Sequence, residues 1–126
     1  MKFGIAVTTH VALATTEKPQ LNYLRELSFA AENNNYDSIW VSNRTAFPDN
    51  LADVYVERFG PGKGNPKTQN VLEPLTALSY VAGLTHKIQL ATSVLMLPFR
   101  NIVLNTKMLA TLDDLSQGCP ILEVGS

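Results

Sequence analysis

Three groups of polar residues stand at the ends of apolar runs, or within them, in this 126-residue sequence: Thr9 and His10, then Ser42, Asn43 and Arg44, then Thr92 and Ser93. The chemistry they offer is hydrogen bonding and fixed charge. A carboxamide such as Asn43 cannot act as a carboxylate base, and the guanidinium of Arg44 does not exchange protons near neutrality, although its permanent charge can hold an anion. Other reactive arrangements fail on spacing. The two histidines, His10 and His86, lie far apart and make no metal-ligand cluster, so no metal site is expected. No serine stands in a strained elbow motif. The stretch from Gly60 to Thr68 superficially matches a phosphate-binding loop, but Pro66 takes the place of the glycine that should precede the lysine and has no N–H to offer a phosphate. Asp113 and Asp114 are neighbours on one helical pattern, where adjacent side chains point apart, and they read as a solvated face.

The elements that must position these groups follow from hydrophobic periodicity. Lys2 to Thr8 reads as a buried strand. Pro19 suits a first helical position, and Leu21, Leu24, Leu27 and Ala31 recur at helical spacing until Asn33-Asn34-Asn35. Asp37 to Ser42 is a second short strand, β-branched and aromatic. From Thr45 to Asn70 the chain turns to Pro, Gly, Asn and Asp, the mark of a loop excursion, within which Leu51 to Phe59 could form a helical turn or a short strand. Glu73-Pro74 opens a second helix carrying Leu75, Leu78 and Ala82, and Lys87 to Leu97 is the longest strand-like run. Asn101 to Ser116 repeats the helical period with Ile102, Leu109, Leu112 and Leu115, Gly118 stands at the expected C-cap, and Ile121 to Val124 is a fourth strand. His86, where the second helix turns into the third strand, reads as structural.

The order βαβαβαβ requires parallel strands with right-handed crossovers, so the class is α/β. Strands in sequential order would put every helix on one side of the sheet, which is the topology of a barrel. An eightfold barrel takes about 250 residues, so residues 1–126 correspond to the N-terminal half of a (β/α)8 TIM barrel, truncated after the fourth strand. The sheet face away from the helices is then expected to expose Ile5, Ile39 and Val94 or their alternating neighbours. A homo-oligomer or a complementary barrel half is the expected cover. In such folds the carboxyl ends of the strands carry the active site, and the three polar groups lie there.

Composition narrows the partners. Ten Lys plus Arg against 11 Asp plus Glu give a net charge of −1, with no basic run, so nucleic acid is not an expected partner. Apolar residues make up 45% of the chain, enough for a core, while no uninterrupted apolar stretch approaches the ~20 residues that cross a bilayer, so no membrane partner is expected. Thr8-Thr9-His10 interrupts what might otherwise pass for a signal peptide. The single cysteine, Cys119, cannot form an internal disulfide, which suits a reducing, cytoplasmic compartment.

The segment from Leu90 to Leu104, followed by Lys107 to Asp113 and Leu115-Ser116, closely resembles the luciferase-like monooxygenase superfamily, especially its coenzyme F420-dependent oxidoreductases. Met1 to Ile5 resembles that family's opening strand, Tyr36 to Ser42 its second, and Glu73-Pro74-Leu75 with Thr85 and Lys87-Ile88 its second helix and the approach to strand three. The resemblance implies a (β/α)8 barrel holding a deazaflavin or flavin ring, with coenzyme F420 as the expected cofactor and FMN the alternative. It implies a bulge in strand three with a cis peptide at Ser93-Val94, a rarity where no proline follows. Thr92, Ser93, Val94 and Asn43 would border the cofactor, with His10 and Arg44 as catalytic candidates facing a small-molecule substrate. Three activities follow as alternatives: hydride transfer between coenzyme F420 and a small organic substrate, monooxygenation with reduced FMN and oxygen, and a non-catalytic truncated scaffold. Three positions depart from the family pattern. Asn43-Arg44 stands where Asp-His is frequent, Gln117-Gly118-Cys119-Pro120 where Gly-Gly-Arg-Phe is usual, and Glu123 replaces a glycine.

Overall fold

The computed structural model describes residues 1–7, 20–43, 72–118 and 120–125. Along the chain come β1 (Gly4–Val7), α1 (Gln20–Asn33), β2 (Ser38–Val41), α2 (Pro74–Ala82), β3 (Gln89–Met96), a single 3-10 turn (Leu97–Phe99), α3 (Ile102–Leu115) and β4 (Pro120–Gly125). The four described strands form one parallel sheet, as the crossover argument requires, and their order, β1-β2-β3-β4, is the sequential one of a barrel. The third strand is shorter than the expected run from Lys87 to Leu97: Lys87 and Ile88 precede it, and Leu97 opens the 3-10 turn. The expected excursion over 45–70 and the residues Thr9, His10, Arg44 and Cys119 lie outside the described residues.

One face of the sheet carries the core. Val7, Ile39, Val41, Leu90 and Leu95 form a single apolar cluster with Leu24 and Ala31 of α1, Leu75, Leu78 and Val81 of α2, and Leu112 of α3, with Ile5 packed against it. All three helices therefore cover the same face. Strand alternation then sends Gly4, Ala6, Ser38, Trp40 and Ala91 to the opposite face. Of the two sets expected there, the structure selects the alternating neighbours, since Ile5 and Ile39 face the helices. On that second face the Trp40 indole lies across Gly4 and donates from Nε1 to Ser38 Oγ at 2.8 Å. A Cβ at Gly4 would clash with the indole and come within 2.6 Å of Ser38 Oγ, so the strand needs glycine at this crossing.

The helices end where the sequence suggests. Asn35 takes a left-handed φ of 58° after α1, and Gln117 and Gly118 take φ values of 57° and 82° after α3. The stripe expected on α3 is only partly right. Leu112 is buried and Leu109 half-buried, but Ile102 and Leu115, the first and last residues of the helix, are exposed, and Asn105 is buried in their place.

At the amino ends of the strands, hydrogen bonds tie successive elements together. Asp37 links β1 to β2 and β3: its N–H donates to Phe3 O, its Oδ2 accepts from Phe3 N–H, and its carbonyl accepts from Gln89 N–H. Glu32, in the last turn of α1, accepts through Oε1 from the N–H groups of His86 and Lys87 at 2.7 Å each and of Ile88 at 3.3 Å. His86 thus acts through its backbone, in keeping with its structural reading. Burial pushes the Glu32 carboxyl up, but these N–H groups and the nearby His86 imidazole outweigh it and hold the pKa below the ordinary value. A carboxyl lowered on folding stabilises the fold above its unfolded pKa, and that stabilisation disappears as pH falls through the folded value. Melting temperature should therefore drop below roughly pH 4. Glu32→Gln should cost about 1 kcal/mol at neutral pH and flatten the acid limb of the profile. Identical acid limbs for the two proteins would rule the clamp out.

Candidate functional site

The carboxyl end of β2 lies beside the middle of β3, where the bulge begins, Val41 being the register partner of Thr92. Asn43 follows β2 by two residues. Its Oδ1 accepts a hydrogen bond from Arg100 Nη2 at 3.1 Å, and the same Nη2 forms an ion pair with Glu73 Oε1 at 2.8 Å. Three segments distant in sequence thus meet at one guanidinium: the exit of β2, the entry of α2 and the turn after β3.

Glu73 also caps α2. Its Oε2 accepts from Thr76 N–H at 2.7 Å and from Thr76 Oγ1 at 2.8 Å, while Pro74 fills the first helical turn, where a missing N–H costs nothing. Burial pushes the Glu73 carboxyl up, but the Thr76 N–H, the Arg100 guanidinium, the Thr76 hydroxyl and the Leu75 N–H together bring it below the ordinary range. Glu73 is therefore ionised at neutral pH and anchors Arg100 as a charged partner.

On β3 the pairing with β4 shifts register between Thr92 and Leu95, which is the bulge expected from the sequence. Ser93-Val94 is a cis peptide, also as expected. Ser93 is exposed and Val94 half-buried. Thr92 is fully buried, and its Oγ1 donates to Glu123 O at 3.1 Å across to β4. It contributes to the rim by fixing the bulge against its neighbour rather than by offering a free hydroxyl. Gly125 leaves room for the bulge, since a Cβ there would stand 2.6 Å from Val94 Cγ1.

Of the six candidate residues, Thr92, Ser93 and Val94 lie at the β3 bulge and Asn43 two residues past the end of the neighbouring strand β2, while His10 and Arg44 lie outside the described residues. Glu73 and Arg100 escaped attention as site residues. One signal was available: glutamate is not among the favoured N-cap types, so its presence before Pro74 hints at a second partner. Among the described residues no group of His, Cys, Asp and Glu could hold a metal ion, and no helix is long and apolar enough to cross a membrane.

Residues 1–126 match the profile described as luciferase-like monooxygenase. The chain belongs to this family. Solved structures agree on the fold. A coenzyme F420-dependent tetrahydromethanopterin reductase from Methanopyrus kandleri is 21% identical, with a TM-score of 0.66 over 98% of this chain and 26% of that one. A monooxygenase from Streptomyces bottropensis is 21% identical, with a TM-score of 0.71 over 99% of this chain and 33% of that one. The oxygenating constituent of 3,6-diketocamphane monooxygenase from the CAM plasmid of Pseudomonas putida, a type II Baeyer-Villiger enzyme in complex with FMN, is 16% identical, with a TM-score of 0.72 over 99% and 29%. The chain spans between about a quarter and a third of the length of these structures. Among curated proteins there is no significant match.

The residues present suit a planar, acceptor-bearing ring. Asn43 Nδ2 is buried and, among the described residues, has no hydrogen-bond partner, an unusual state for a donor. On the neighbouring strand β3, the exposed Ser93 and the aliphatic Val94 combine a hydroxyl with an apolar surface. A flavin or deazaflavin, which bears carbonyl oxygens and ring nitrogens on a flat apolar body, matches that donor set.

Proposed function

We propose that this chain supplies part of the coenzyme site of a luciferase-like oxidoreductase that transfers a hydride between coenzyme F420 and a small organic substrate. The observation that carries the reading is Asn43 Nδ2, which has no hydrogen-bond partner among the described residues and lies two residues beyond Val41, the register partner of Thr92, at the exit of a strand, where α/β barrels place their ligands. Asn43, Ser93 and Val94 would hold the ring, with Thr92 behind them fixing the bulge. The cofactor would supply the redox chemistry, and the protein its orientation and exclusion of water. His10 and Arg44 remain the candidates for the substrate side. Monooxygenation with reduced FMN is the second reading, favoured by the likeness to monooxygenases, one of them in complex with FMN. We further propose that additional barrel strands, from a second copy or a complementary half, complete the sheet beyond β4.

Titration of the chain with coenzyme F420 and with FMN, followed by absorbance and fluorescence, tests the reading. Binding of one of them is expected, weakened roughly tenfold by Asn43→Ala, the loss of one hydrogen bond worth about 1.4 kcal/mol. Binding indifferent to that substitution would place the site elsewhere. Absence of binding by either cofactor would favour the non-catalytic scaffold.

A further inference from the structure

A guanidinium has donors and no acceptor, so the Asn43 atom that faces Arg100 Nη2 at 3.1 Å must be the carboxamide oxygen. The amide cannot be flipped without setting donor against donor. Arg100 is itself held, by Glu73 Oε1 at 2.8 Å, and Glu73 is held by its cap on Thr76. Orientation therefore passes from the α2 N-terminus through a carboxylate and a guanidinium to one carboxamide, whose Nδ2 is left buried and, among the described residues, without a partner.

From this chain of contacts we infer that Glu73 and Arg100 are positioning residues: they lock the Asn43 carboxamide so that Nδ2 is the presented atom, and the group this rim accepts is a hydrogen-bond acceptor. The inference deepens the proposed function and, for its ligand, rests on it. A carbonyl oxygen or an unprotonated ring nitrogen satisfies the buried donor, whereas a ligand N–H or O–H placed there would leave two donors facing each other. With aspartate in place of Asn43, Arg100 would meet a second carboxylate and no donor would be presented. Asparagine at this position therefore sets the polarity of what binds, and neither Glu73 nor Arg100 need touch the ligand.

The test has one arm without ligand and one with it. In the 15N-labelled chain the Asn43 side-chain signals are assigned by their loss in Asn43→Asp. Their order parameter in the wild type should match rigid backbone, about 0.85, and fall below about 0.6 in Arg100→Met while the backbone signals of β1 to β3 stay in place. If Arg100→Met does not fold, Glu73→Gln, which keeps the cap but weakens the ion pair, should loosen the same signals partway. A carboxamide equally rigid with and without the Arg100 side chain, or mobile in the wild type, overturns the inference. In the second arm, FMN or coenzyme F420 should shift the Asn43 side-chain protons on binding. Arg100→Met should weaken affinity about tenfold in the wild type, as for one lost hydrogen bond, yet leave it unchanged in an Asn43→Ala background. A ligand that binds without moving those protons, or an Arg100 effect that persists without Asn43, overturns it as well. If neither cofactor binds, the functional reading fails, while the first arm has already decided the positioning.

Discussion

Leu78→Ala is expected to lower the stability of the chain by about 2–5 kcal/mol, the range for emptying a fully buried leucine site. Leu78 has no exposed surface and sits mid-way along α2, within the cluster that joins β2 and β3 to the helices. Small domains have only about 5–15 kcal/mol in total, so a loss of this size should lower the melting temperature by about 10 °C or more. The effect should reach the site. Because α2 begins at the Glu73 cap, a loosened helix frees Glu73, then Arg100, then Asn43, and cofactor affinity should fall together with stability. Leu21→Ala is the control: Leu21 lies on α1 but is 52% exposed, and its removal should change stability by less than about 0.5 kcal/mol. Equal melting curves for the two variants would contradict the packing described for α2.

Much of this arrangement was legible in the sequence because it rests on local patterns. Short apolar runs alternating with helical periods dictate parallel strands with right-handed crossovers, whereas the sequential strand order does not follow from handedness and is supplied by the structure. The β3 bulge and the cis bond were legible only through the run from Leu90 to Leu104, since nothing in the residue types of Ser93 and Val94 requires either. Glu73 and Arg100 were opaque for a different reason. The bonds from Arg100 to Glu73 and to Asn43 span separations of 27 and 57 residues, and no periodicity reports on contacts that exist only once three elements have docked. Thr92 carries a bond that its type and place did not announce: its hydroxyl donates to the backbone carbonyl of Glu123 across to β4. Hydrophobic spacing on α3 pointed to Ile102 and Leu115, which stand at the helix ends, and not to the buried Asn105 between them.

The chain is expected to associate with itself in solution, and the association should depend on β4. Val124 and Leu122 are 53% and 41% exposed, and among the described residues no strand pairs with the outer edge of β4 or of β1. Parallel sheets rarely stand open, since an unpaired edge offers its N–H and C=O groups to any strand that meets it. The solved relatives are three to four times as long as this chain, so most of each lies outside the part that this chain matches. In the purified chain a second copy is the available partner. Sedimentation should give a mass above the 13.8 kDa of one chain, falling toward it on dilution. Val124→Lys should shift the chain toward monomer at every concentration, because a charge on an edge strand opposes pairing. Its melting behaviour at low concentration should stay close to that of the wild type, as Val124 contributes little to the core. A wild-type monomer that persists across the dilution series and unfolds cooperatively would show that this sheet is stable with its edges free, and the proposal that further strands complete it would fall.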